Sequence, residues 1–77
     1  MNQSTIIMKG RSTEDGTTVM VSLNKYEEEL NTYYKVIVVK DGQVIEETSE
    51  VSLETDGMYY FNKFHVIFLG KEYIPEK

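Results

Sequence analysis

The densest apolar run in the chain is Tyr33-Tyr34-Lys35-Val36-Ile37-Val38-Val39-Lys40, which Asp41-Gly42 separates from Gln43-Val44-Ile45-Glu46-Glu47-Thr48. Four consecutive β-branched residues suit a packed, pleated surface. Asp-Gly supplies the two positive-φ positions of a tight type I′ turn. The pattern predicts a β-hairpin pairing Lys40 with Gln43, Val39 with Val44, Val38 with Ile45 and Ile37 with Glu46. Alternation then puts Tyr34, Val36, Val38 and Ile45 on one face. The other face carries Tyr33, Ile37, Val39 and Val44, beside Lys35, Glu46, Thr48 and Glu50. The first is the better core. The second is apolar only near the turn, so a helix, a C-terminal segment or a second copy of the chain would cover part of it.

Ser4 to Arg11 and Thr17 to Asn24 alternate in the same way and predict a second strand pair, joined through the polar cluster Ser12-Thr13-Glu14-Asp15-Gly16. Ile6, Met8, Val19, Val21 and Leu23 are its expected core residues, with Ile7 and Met20 on the opposite face. Gly10 suggests a bulge or a frayed end. Lys25 to Leu30 reads as one short helical turn: Asn24 caps it, Glu27 sits at the third position, and Tyr26 and Leu30 share a face. Beyond Thr48-Ser49 the strand continues, bent, through Val51 and Leu53 to a third Asp-Gly turn at Asp56-Gly57. Met58 to Leu69 is the most aromatic region and is expected to be either one long strand or a hairpin turning at Asn62-Lys63. Gly70-Lys71 then leads into a short extended tail, Glu72-Tyr73-Ile74.

The fold class that follows is mainly β. We expect a small curled antiparallel sheet, or partly open barrel, of five to six strands built from hairpins, with one short helical turn. Seventy-seven residues make one domain, 1–77, with 1–3 and 75–77 frayed. The chain has no cysteine, which removes disulfides, thiolate metal sites and a cysteine nucleophile. No basic and apolar leader opens it, and no apolar run approaches the ~20 residues of a membrane span. The expected location is cytoplasmic, where the sequon Asn2-Gln3-Ser4 is idle.

Thirteen carboxylates against eight Lys and Arg give a net charge of −5, which disfavours direct binding to a phosphate backbone. His65 is the only histidine; it lies among Phe64, Val66, Ile67 and Phe68, and no nucleophile motif accompanies it. The chain lacks a phosphate loop, a metal-ligand histidine spacing and a calcium loop, so neither catalysis nor a cofactor nor a metal is expected. Carboxylates cluster at Glu27-Glu28-Glu29 and along Glu46, Glu47, Glu50, Glu54 and Asp56. On one long strand Glu46, Glu50 and Glu54 would form a stripe with a carboxylate about every 13 Å. Among six tyrosines, Tyr33, Tyr59, Tyr60 and Tyr73 are candidate interface residues, since tyrosine suits sites apolar at one end and wet at the other.

These features point to a non-enzymatic protein-binding module whose partner is another protein or a second copy in a homodimer, with neither nucleic acid nor membrane as the target. Two alternatives stay open. One is an acidic inhibitor from a mobile element or phage that fills the basic nucleic-acid groove of a host protein. The other is a small ligand-binding β-barrel.

Overall fold

The computed structural model describes residues 3–75. Within them four antiparallel strands, β1 (Gln3–Glu14), β2 (Thr17–Glu28), β3 (Asn31–Lys40) and β4 (Gln43–Glu47), form one sheet in sequence order. One helix, α1 (Glu54–Leu69), follows. The sheet does not close. A four-stranded meander with a helix on one face therefore replaces the five to six strands and the barrel. Of the ends expected to fray, residues 1–2 and 76–77 lie outside the described residues, while Gln3 opens β1.

The two expected hairpins are present. Asp15-Gly16 joins β1 to β2 and Asp41-Gly42 joins β3 to β4, all four at positive φ between 49° and 85°. This is the backbone twist a two-residue hairpin turn requires, and Asp is one of the few residues besides Gly that adopts it readily. The Asp41 carboxylate also accepts from the Thr18 amide (2.9 Å) while the Asp41 amide donates to the Thr18 carbonyl (2.9 Å), tying this turn to the start of β2.

Two bulges redistribute the faces. Between β3 and β4 the register begins as expected, with Lys40 opposite Gln43 and Val39 opposite Val44, then slips to Val38 opposite Glu46 and Ile37 opposite Glu47. Ile45 is the extra residue; it leaves the core and is 46% exposed. Between β1 and β2 the slip lies at Ile7, between the pairs Ile6–Asn24 and Met8–Leu23. Ile7 consequently packs against the core and Ile6 becomes 50% exposed, the reverse of the simple alternation. Gly10 is not the bulge.

Two elements differ in kind from expectation. Lys25 to Leu30 is no helical turn: β2 runs on to Glu28, and Leu30 sits fully exposed in the turn. A single turn pays the nucleation cost of a helix for almost no hydrogen bonds, whereas the strand pairs each residue from Val19 to Glu28 with β3. Met58 to Leu69 is neither strand nor hairpin but most of α1. Its buried residues are Gly57, Phe61 and His65, one every four positions, which is the repeat of a helix face. Asp56-Gly57 lies in the first turns of α1, and Gly70, in the left-handed conformation, ends it by donating to the Val66 carbonyl (2.9 Å). Before α1 the chain stays beside β3, where Val51 and Tyr34 exchange two backbone hydrogen bonds (2.8 and 3.0 Å).

The core lies between α1 and the sheet: Val21, Leu23, Val36, Val38 and Phe61 are inaccessible to solvent, with Tyr34 nearly so. Each such side chain contributes about 1.5–3 kcal/mol by leaving water. Gly57 permits the close approach at one end, since a Cβ there would stand 2.8 Å from Leu23 Cδ1 and 3.2 Å from Tyr34 Cβ. At the other end His65 and Leu69 meet Gly10 of β1. The helix thus crosses the sheet diagonally, over β1, β2 and β3 but not β4. No helix among the described residues is long and apolar enough to cross a membrane.

Candidate interaction surface

Because α1 covers one face of the sheet, the other faces outward. Strand register arranges its side chains in cross-strand rows. One row is Arg11–Met20–Val39–Val44, the next Lys9–Ser22–Ile37–Glu47, then Ile6–Asn24–Lys35, then Ser4–Tyr26–Tyr33. The middle of this face is polar yet closed to water: Ser22 is 4% and Asn24 9% exposed. Their short side chains sit low among Lys9, Ile37 and Lys35, and they satisfy one another, Asn24 Nδ2 donating to Ser22 Oγ at 3.0 Å. No buried side-chain polar atom among the described residues lacks a partner. An apolar band, Met20, Val39, Val44 and Ile37, borders this polar floor on one side. Tyr26 and Tyr33 border it on the other, stacked with centroids 5.0 Å apart.

Charged neighbours tune two groups on this face. The Tyr33 hydroxyl donates to Glu28 at 2.9 Å. That hydrogen bond, then desolvation, then the charges of Glu28 and Glu50, push its pKa up from 10.0 to about 12. Lys35 donates to Glu47 at 2.9 Å and is raised above 10.5 mainly by that bond. The bulge at Ile45 is what brings Glu47, rather than Glu46, beside Lys35. In both groups the folded state holds its proton more tightly than the unfolded chain does. Their stabilising effect is therefore complete below pH ~10 and declines as pH rises through the folded pKa values. In an ultraviolet titration of the phenols, Tyr33 is expected to ionise near pH 12; Tyr33→Phe should delete that phase and Glu28→Gln should move it toward 10. An unchanged amplitude near pH 12 in Tyr33→Phe would contradict the assignment.

The second feature lies at the edge of β1. A cleft of about 670 Å³ opens between Ile6–Arg11 of β1 and the tail Lys71–Ile74, with His65 in its lining. His65 is not on a strand, as its neighbours suggested, but on the buried side of α1. Its Nδ1–H donates to the Lys71 carbonyl at 2.6 Å, which fixes the start of the tail. Tyr73 then packs edge-on against Phe61 (5.0 Å) and against His65 (5.5 Å). Among the described residues neither carboxylate nor hydroxyl bonds His65, and no cluster of His, Asp and Glu suits a metal ion.

The candidate site residues are scattered. Glu46 is on β4, Glu50 in the connection to α1, and Glu54 in the first turn of α1, so the spacing of a single long strand does not exist. There Glu54 and Asp56 complement the helix dipole. Tyr59 projects from the outer side of α1 with Tyr60 edge-on to it (5.2 Å), while Tyr60 and Tyr73 pack against the core. Of the four candidate tyrosines, Tyr33 alone lies on the open face, in the row it shares with Tyr26. The cleft joins residues some sixty positions apart, and the strand glycine Gly10 was the one local sign of it. Set against known protein families, curated proteins and solved structures, the chain matches none.

Proposed function

We propose that this chain is a non-enzymatic protein-binding module that presents the open face of its sheet to a partner, a second copy being one such partner. One observation carries the reading. An apolar band formed by Met20, Val39, Val44 and Ile37 crosses three strands on a face that α1 leaves bare. Apolar surface flanked by aromatic and charged groups is the anatomy of a contact patch. Charges at its border, Arg11, Lys9 and the Lys35–Glu47 pair, supply orientation. An open sheet has no barrel interior for a small ligand. The acidic-inhibitor reading loses its strand-borne stripe with Glu46, Glu50 and Glu54 on three different segments.

The test is affinity capture of the tagged chain from lysate of its source, eluted in rising salt and read by mass spectrometry, alongside the variant Met20→Gln/Val44→Glu. A protein held by the parent chain and depleted about tenfold or more with the variant is the expected outcome. Circular dichroism of the variant should remain that of the parent. Identical sets on both baits would remove the open face as the contact.

A further inference from the structure

We propose that β1 accepts an extended acidic segment of a partner protein as a fifth strand, seated in the cleft between its outer edge and the C-terminal tail. The inference rests on the reading of the chain as a protein-binding module and names a site and a partner chemistry for it. β1 is an edge strand, so one side of it presents unpaired backbone N–H and C=O groups. The tail stands across from that edge without pairing: among the described residues no backbone hydrogen bond joins it to β1. The gap is held open, because the His65–Lys71 hydrogen bond and the packing of Tyr73 on Phe61 fix the far wall. Beyond the bulge at Ile7 the strand is regular, and Met8–Arg11 offers about 13 Å of edge within the cleft.

Charge selects the occupant. In a chain of net charge −5, the cleft is lined by Lys9, Arg11 and Lys71 against one carboxylate, Glu72. Lys9 and Arg11 are two apart and share the open face, where they pair across β1–β2 with Ser22 and Met20. An added strand would set acidic side chains at alternate positions beside them. Its intervening side chains would turn to the other face, toward Tyr73 and Ile74, which favours apolar residues there. A second copy pairing through its own β1 is disfavoured, since an antiparallel pair centred on Gly10 sets Lys9 opposite Arg11 of the other copy.

The experiment selects binders to the full chain from a displayed library of random dodecapeptides and maps the strongest on the isotope-labelled protein by amide shifts and hydrogen exchange. Enrichment of acidic–apolar–acidic alternation is expected, with slowed exchange at those amides of Met8–Arg11 that point away from β2. Affinity should fall about tenfold or more with Lys9→Glu/Arg11→Glu, and likewise when alternate peptide amides are N-methylated to remove their donors. Peptides that shift Met20, Val39 and Val44 instead would overturn strand addition and leave the binding-module reading intact. A library that yields no binder would count against both. Oligothymidylate protecting the same amides as tightly as the peptide would mark a general polyanion site and overturn the strand.

Discussion

Phe61→Ala is expected to remove about 3–5 kcal/mol of folding stability, the largest loss from any single truncation in this chain. Phe61 is the bulkiest side chain wholly out of solvent. It is also the middle one of the three residues that α1 buries, between Gly57 at the β3 side and His65 at the β1 side. Its ring carries the edge-on contact with Tyr73, so truncation loosens both the helix and the tail. At roughly 0.05–0.15 kcal/mol per residue, a chain of 77 residues holds about 4–12 kcal/mol in total. The variant therefore keeps little margin, and a released helix bares Val21, Leu23, Val36 and Val38. Urea denaturation measures the loss, with Tyr59→Ala, on the exposed side of α1, expected to stay within about 0.5 kcal/mol of the parent. A loss below about 1 kcal/mol for Phe61→Ala would mean that the helix is held by something else.

That helix is also where the sequence was hardest to read. Tyr59, Tyr60, Phe61, Phe64 and Phe68 are aromatic, and aromatic residues favour strands when nothing else decides. The outer side of α1 is itself apolar at Tyr59, Val66 and Ile67, which blurs the contrast that marks an amphipathic helix. Its start is silent too, because Leu53 caps it without a side-chain hydrogen bond. The spacing of Gly57, Phe61 and His65 held the signal, masked by reading Asp56-Gly57 as a turn. Lys25 to Leu30 shows the opposite error. Asn24 and Glu27 imitate a helix start, but Tyr26 finds Tyr33 across the strands, and that contact is invisible to local pattern.

The central hairpin was legible because β-branched density and an Asp-Gly turn are local properties. Bulges at Ile7 and Ile45 were not, since alternation alone cannot say which residue of a run is the extra one. Ile45 mattered for the site: the slip it introduces turned Glu47 toward Lys35 and took Glu46 off that face. Tyr33, a candidate interface residue, lies on the open face, whereas the cleft left no trace in the sequence beyond Gly10, because it is assembled by α1 from a strand edge and a tail that share no local pattern.

Gly10→Ala is expected to cost about 1–3 kcal/mol, although the same exchange in an ordinary strand gains about 0.5–1. The sign reverses because a Cβ at Gly10 overlaps the imidazole of His65 and stands 3.2 Å from Leu69 Cδ1. The ring cannot retreat without breaking its hydrogen bond to Lys71 or displacing Phe61 and Tyr73. A cycle with His65→Ala separates this from a general dislike of alanine at the position. In the His65→Ala background the new methyl group has space, and Gly10→Ala should become neutral or stabilising. The coupling between the two sites is then about 1–4 kcal/mol, whereas additive effects within about 0.5 kcal/mol would show that they do not meet. The amides of Lys71–Ile74 supply a second readout, because the ring that Gly10→Ala displaces is the one holding the tail. Shifts there in the single variant, with a correctly paired β1, would mean that His65 sets the width of the cleft in which an added strand has to fit.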